Sequence, residues 1–167
     1  HVPWQLPRYE ATLWHNLVVS AARYPDKVAY WFYGGALTYR RLRAEAEALA
    51  GFLQKRLGVQ RGDRVVLYAQ NCPQFVIAYY ATLRADAVVV PANPMVKTEE
   101  LAHYVEDSGG RIAVVMQELL AYAEPLLGKR LERCVVGTYA DYIDPAADPL
   151  APDFVRAPAA MPAREDV

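Results

Sequence analysis

A chain of 167 residues, 54% of them hydrophobic, is long enough to bury one substantial core. Its formal net charge of -1 and the lack of a concentrated basic face argue against a nucleic-acid-binding protein. No hydrophobic run reaches the roughly 18 residues that a membrane helix needs, and the first residues lack the pattern of a signal peptide. Cys72 and Cys134 fit no CxxC pattern, so both are expected to be reduced core thiols.

The first part of the chain predicts two helices separated by a β-hairpin. Thr12 is expected to cap a helix that runs to about Arg23, and Thr38 begins a longer helix that Gly58 follows. Between them, residues 28–33 and 36–39 predict two short strands joined at Gly34-Gly35.

Strands and helices then alternate. The predicted strands are residues 64–69, 87–90, 112–116 and 134–137. The intervening helices begin at Pro73, with Asn71 or Cys72 as cap, at Thr98 as cap, and near Glu118, the last one interrupted near Pro125. This alternation predicts an α/β fold: an open, mostly parallel sheet of βαβ units flanked by helices, with a short N-terminal hairpin.

The composition changes near Tyr139, which divides the chain in two. Residues 1–138 are expected to form the α/β lobe. Residues 139–167 are rich in Pro and Ala, so we expect an extended and poorly packed tail or linker. The prolines of this segment are Pro145, Pro149, Pro152, Pro158 and Pro162.

Ligand-binding residues are sought beyond the carboxyl ends of the strands, where open α/β sheets bind their ligands. That edge carries Gln70, Asn71, Asn93, Met95 and Thr138. Asn71, Asn93 and Met95 are the ligand-edge candidates, although hydrogen bonding within the turns explains both asparagines more simply. The strand-to-helix connections contain no Gly-rich phosphate loop, and no nucleophile elbow or metal-ligand spacing is present. The sequence therefore predicts no catalytic, cofactor-binding or metal-binding residue.

Six short motifs stand in a fixed order along the chain. They are PDKVA at 25–29, LTYRRL at 37–42, GDRV at 62–65, NCPQF at 71–75, ADAVVVPANPM at 85–95 and EELAHYVEDSG at 99–109. Together they resemble the N-terminal lobe of the large domain of adenylate-forming acyl-CoA synthetases. Most of that superfamily has Gly where this chain has Asp86. The Asp form followed by Val-Pro-x-Asn-Pro-Met is similar to the branch that activates fatty acids.

The resemblance implies a parent enzyme that uses ATP, Mg²⁺ and CoA to convert a fatty acid first into an acyl-adenylate and then into an acyl-CoA. The family's phosphate loop, its later acidic and Arg residues and its mobile Lys have no counterpart in this chain, so we expect the chain alone to be inactive and to bind no cofactor. The expected partners are the remaining ligase domains, with fatty acid and CoA for the full enzyme and a homodimer through exposed hydrophobic surface. The expected location is cytoplasmic, with peripheral membrane association of the full enzyme as an alternative.

Two other functions fit the same residues. One is a stand-alone, non-catalytic α/β binding or interaction module. The other is an adenylation lobe that serves amino or aryl acids.

Overall fold

The computed structural model describes residues 10–144, 146 and 151–160. The helices are α1 (Leu13–Arg23), α2 (Tyr39–Lys55), α3 (Pro73–Arg84), α4 (Thr98–Ser108), α5 (Leu120–Ala123) and α6 (Asp153–Arg156). The strands are β1 (Val28–Phe32), β2 (Gly35–Thr38), β3 (Arg64–Tyr68), β4 (Val88–Ala92), β5 (Ile112–Met116) and β6 (Arg133–Gly137). The predicted α/β fold, with its N-terminal hairpin and parallel sheet, is confirmed.

The main sheet contains four parallel strands in the order β4-β3-β5-β6. Strand β3 is an internal strand because the chain adds β4 on one side of it and then crosses to add β5 on the other. The separate hairpin pairs β1 with β2 in antiparallel register.

Helices cover both faces of the sheet, and β3 shows why. Val65 and Leu67 point into one core, with α2 and α3, whereas Val66 and Tyr68 point into the other, with α4 and α5. Because successive residues of a strand face opposite sides, a strand buried on both faces must be hydrophobic throughout. The hairpin and α1 pack on the outer side of α2 and α3, around Leu17, Leu37, Leu42 and Ile77.

Two predicted boundaries were wrong because of tertiary structure. Strand β4 continues through Pro91 to Ala92 rather than ending at Val90. Proline is tolerated there because β4 is an edge strand, where one side of the backbone needs no N–H donor. Lys97, not Thr98, occupies the N-cap of α4. The Thr98 hydroxyl instead donates to the Tyr122 carbonyl oxygen at 2.9 Å, a tertiary contact that no local pattern contains.

The turn between α3 and β4 depends on a left-handed residue. Asp86 has φ of 58°, a conformation that glycine adopts without strain and that Asp tolerates better than most residues. Its backbone carbonyl accepts the Gly62 N–H at 2.9 Å, which links this turn to the one before β3. The left-handed geometry would therefore also suit a glycine at this position.

The segment after β6 packs far better than its composition predicts. We name residues 139–144, 146 and 151–160 the strap. Tyr139, Ala151 and Val155 are each 2% exposed or less and pack against Ala69 and Met116 at the sheet edge. The expectation of a poorly packed tail is therefore wrong for these residues. Pro145, Pro149 and Pro162 lie outside the described residues, and the domain boundary at 138/139 remains a prediction.

Candidate functional site

The carboxyl edge of the sheet is the candidate site that the topology selects. The chain reverses its direction of strand addition between β3 and β5, and open α/β sheets bind ligands at such a switch point. Gln70 follows β3, Gln117 and Glu118 follow β5, and Thr138 follows β6. This group of side chains lies on or beside the edge predicted from the sequence.

The three ligand-edge candidates are all exposed. Asn93 has a role in its own turn: its Oδ1 accepts the Met95 N–H at 2.9 Å, and its carbonyl oxygen accepts the Val96 N–H at 3.1 Å. Met95 is 76% exposed at the tip of this turn. Asn71 immediately precedes Cys72, the N-cap of α3. A ligand contact by any of the three remains a prediction.

A buried polar cluster, which the sequence did not indicate, lies beneath the strap. The Gln74 amide, 8% exposed, donates to the Thr138 carbonyl oxygen, and the Tyr139 hydroxyl donates to Glu118 Oε1. Within the described part of the chain, Gln74 Oε1 and Glu118 Oε2 are buried without a hydrogen-bond partner. Such atoms are costly to bury. The only sequence signals for this cluster were that Glu118 closely follows β5 and that Gln74 stands in the first turn of the helix after β3.

Burial sets the proton affinity of this region. It raises the pKa of the Cys72 thiol to about 11, against the opposing effect of the Phe75 and Gln74 backbone N–H groups. Burial also raises the pKa of the Tyr139 hydroxyl, and the hydrogen bond to Glu118 adds to that effect. Both groups are therefore protonated at neutral pH, and Cys72 is not an activated nucleophile, since only a thiolate is nucleophilic.

Phosphate groups do not fit the two helix N-termini on this side of the sheet. At α3, Pro73 has no N–H and the Phe75 N–H is directed to Cys72 Sγ at 3.4 Å. At α4, Glu99 and Glu100 stand in the first turn, where their charges would repel a phosphate. These two helix N-termini are therefore poor binding sites for the phosphates of ATP.

Metal sites and membrane helices were also sought among residues 10–144, 146 and 151–160. No three His, Cys, Asp or Glu side chains in these ranges converge in a way that would hold a metal ion. No helix in the same ranges has the length and hydrophobicity to cross a bilayer.

Comparison with known proteins identifies the family. Residues 17–165 match the family described as AMP-binding enzyme. The chain belongs to this family. A long-chain-fatty-acid–CoA ligase of Bacillus subtilis (strain 168) is 37% identical over 145 residues, which cover 85% of this chain and 25% of that protein. The chain therefore spans about a quarter of the length of this curated relative.

Solved structures of this AMP-binding family share the fold. A long-chain-fatty-acid–CoA ligase from Archaeoglobus fulgidus superposes with a TM-score of 0.70 at 27% identity, covering 79% of this chain and 28% of that one. An anthranilate–CoA ligase in complex with anthranoyl-AMP also gives a TM-score of 0.70, at 25% identity, covering 90% of this chain and 28% of that one. The fold is thus the N-terminal α/β lobe of adenylate-forming ligases.

Proposed function

We propose that this AMP-binding-family chain is the N-terminal α/β lobe of an ATP-dependent long-chain fatty-acid–CoA ligase. The observation that carries the proposal is the 37% identity, over 85% of the chain, to a ligase of that specificity. In the reaction, a fatty-acid carboxylate oxygen attacks the α-phosphate of ATP and pyrophosphate leaves. The CoA thiol then attacks the acyl carbonyl carbon, and AMP leaves.

In this enzyme the lobe would have a structural role and would contribute no catalytic residue. Its connections from β3 to α3 and from β4 to α4 are poor phosphate sites, and Cys72 and Tyr139 hold their protons. ATP, Mg²⁺ and CoA would be bound by the rest of the full-length enzyme. The isolated 167-residue chain is expected to be inactive.

The remaining ligase domains would cover hydrophobic surface that this lobe leaves exposed. Trp31, Val88 and Met95 are 68%, 49% and 76% exposed. Such surface is typical of contacts with other protein, and it would also support the homodimer expected from the sequence. We propose a cytoplasmic location for the full-length enzyme, with peripheral attachment to a membrane as the alternative.

An adenylation lobe for aryl acids is the second candidate. It is favoured by the structural match to the anthranilate–CoA ligase, which covers more of this chain than the fatty-acid ligase structure does. The two candidates would use the same two chemical steps, so only the preferred acid substrate distinguishes them.

The test is ATP–pyrophosphate exchange by the protein expressed from the complete reading frame that contains this sequence. Long-chain fatty acids should support exchange far better than anthranilate or benzoate, and the 167-residue chain alone should give none. A reversed preference would establish the aryl-acid function. If no acid supports exchange by the complete protein, the ligase proposal is wrong and the non-catalytic binding module replaces it.

A further inference from the structure

The amino end of the sheet, opposite the candidate site, carries a cleft of about 510 Å³. We name it the basic cleft. It lies where α2 ends and where β5 and β6 begin. Its lining consists of Arg56, Leu57, Arg111, Gly128, Lys129, Arg130, Leu131, Glu132 and Arg133. Five of these residues are cations and one is an acid, so the cleft concentrates positive charge in a chain that is nearly neutral.

Nearby acids neutralise only part of this charge. Arg111 pairs with Glu132 at 2.7 Å and lies 3.9 Å from Asp63. Arg130 pairs with Glu106 at 2.5 Å.

The other three cations of the basic cleft, Arg56, Lys129 and Arg133, form no ion pair with any described residue. The carboxyl end of the α2 dipole favours a cation at Arg56. The Arg133 guanidinium donates to the Glu132 carbonyl oxygen at 3.1 Å, but neither Arg133 nor Lys129 has a carboxylate partner among the described residues.

The backbone beneath these cations is held by hydrogen bonds to neighbouring segments. Gly128, with φ of 71°, turns the chain after α5, and its N–H donates to the Leu131 carbonyl oxygen at 2.8 Å. The Glu132 N–H donates to the Arg111 carbonyl oxygen at 2.8 Å, and the parallel register sets Ile112 beside Arg133. These contacts fix the backbone positions from which the cations extend.

We propose that the basic cleft binds an anion that carries a phosphoryl group with at least two negative charges. Guanidinium groups match phosphate oxygens in geometry and charge, and Lys supplies a further point charge. A cleft of this volume falls in the size range of small-molecule sites. The ligand is either a soluble phosphorylated compound or the headgroup of an anionic phospholipid, since both present the same phosphoryl chemistry.

The first experiment titrates inorganic pyrophosphate into the 167-residue chain by calorimetry, at low and at physiological ionic strength. We expect binding that weakens with salt. The double variant Lys129→Glu/Arg133→Glu should bind about tenfold more weakly or worse, because two attractive charges become repulsive. The matched control is Arg23→Glu, which reverses an exposed cation on α1, away from the cleft. Circular dichroism of each variant checks that the fold is retained.

A second experiment distinguishes the two sources of the phosphoryl group. Vesicles of phosphatidylcholine, with or without phosphatidic acid, are sedimented with the chain. Cosedimentation that requires phosphatidic acid, is reduced by pyrophosphate and is lost in the double variant identifies a lipid headgroup. Pyrophosphate binding without cosedimentation identifies a soluble ligand. The proposal is overturned if pyrophosphate does not bind, or if Arg23→Glu weakens binding as much as the double variant does.

Discussion

Replacing Gly35 with alanine should break the contact between the strap and the N-terminal hairpin. A Cβ atom at this position would lie 1.9 Å from the Tyr142 carbonyl oxygen, 2.8 Å from its carbonyl carbon and 3.1 Å from Ile143 Cα. All three atoms belong to the backbone, so no side-chain rotation can relieve the clash. The strap must move away from β2 by more than 1 Å, given normal contact distances of roughly 3.0–3.5 Å.

The size of the effect follows from what that movement disrupts. Overpacking of a well-filled contact typically costs about 1–3 kcal/mol. The nearby hydrogen bond from the Asp144 N–H to the Tyr33 carbonyl oxygen, 3.0 Å long, would be strained or lost, at a further cost of about 1 kcal/mol. We therefore expect Gly35→Ala to lower the free energy of unfolding by about 2–4 kcal/mol.

Gly51→Ala is the matched control, because it adds the same methyl group where nothing lies within 4 Å. Gly51 stands inside α2, where alanine is favoured over glycine by about 0.5–1 kcal/mol. The two substitutions should thus change stability in opposite directions in urea denaturation followed by circular dichroism. A Gly35→Ala variant within about 0.5 kcal/mol of the parent chain would refute the strap contact.

Three further changes test separate features. Asp86→Gly should raise the free energy of unfolding by up to about 1 kcal/mol in urea melts, since φ of 58° suits glycine. Asp86→Val, which introduces a β-branched side chain, should lower it by about 1–2 kcal/mol. Equal stabilities of the two variants would argue against strain at this turn. Tyr142→Phe removes the hydroxyl that donates to Glu45. We expect a loss of about 1–2 kcal/mol that disappears in a Glu45→Ala background, where no acceptor remains. In the folded chain the pKa of the Cys72 thiol is about 11, above the ordinary value of 9.0. As the pH rises, the unfolded chain therefore releases this proton at a lower pH than the folded chain does. The contribution of Cys72 to the free energy of unfolding should then be fully present below about pH 8 and fall between pH 9 and 11. In urea melts across that range, the fall should be shallower in Cys72→Ala. An unchanged slope in the variant would contradict the assignment.

Local patterns were sufficient for most of the elements. Thr12 and Thr38 accept hydrogen bonds from His15 and Arg41 as N-caps, as their residue type and position predict. The hydrophobic strands, separated by helix-length segments, were sufficient to predict the parallel sheet. These features depend on residues close together in sequence, which is why the sequence alone could predict them.

Features that depend on contacts between distant residues were missed. The part of the chain from Tyr139 onward is rich in Pro and Ala, so its composition indicates a loose segment. Tyr139 and Val155 become buried because they pack against the carboxyl edge of the sheet. In the same way, the basic cleft joins cations from three separate segments, so the sequence showed no basic face. Asn71, Asn93 and Met95 were proposed as ligand-edge candidates because they follow strand ends, and that role stays a prediction. The buried pair Gln74 and Glu118 could not be predicted, because the strap that covers them was expected to be loose.

The two ends of the sheet have opposite chemical character, and this contrast separates the two proposals experimentally. At the carboxyl end, the strap covers a polar cluster whose Cys72 and Tyr139 are held in neutral form. At the amino end, Lys129 and Arg133 are exposed without a carboxylate partner among the described residues. Charge reversal in the basic cleft should therefore change anion binding without altering the packing of the carboxyl edge. In the full-length protein, the double variant should retain the acid preference of the exchange reaction, because that preference would depend on the opposite end of the lobe and on the other domains.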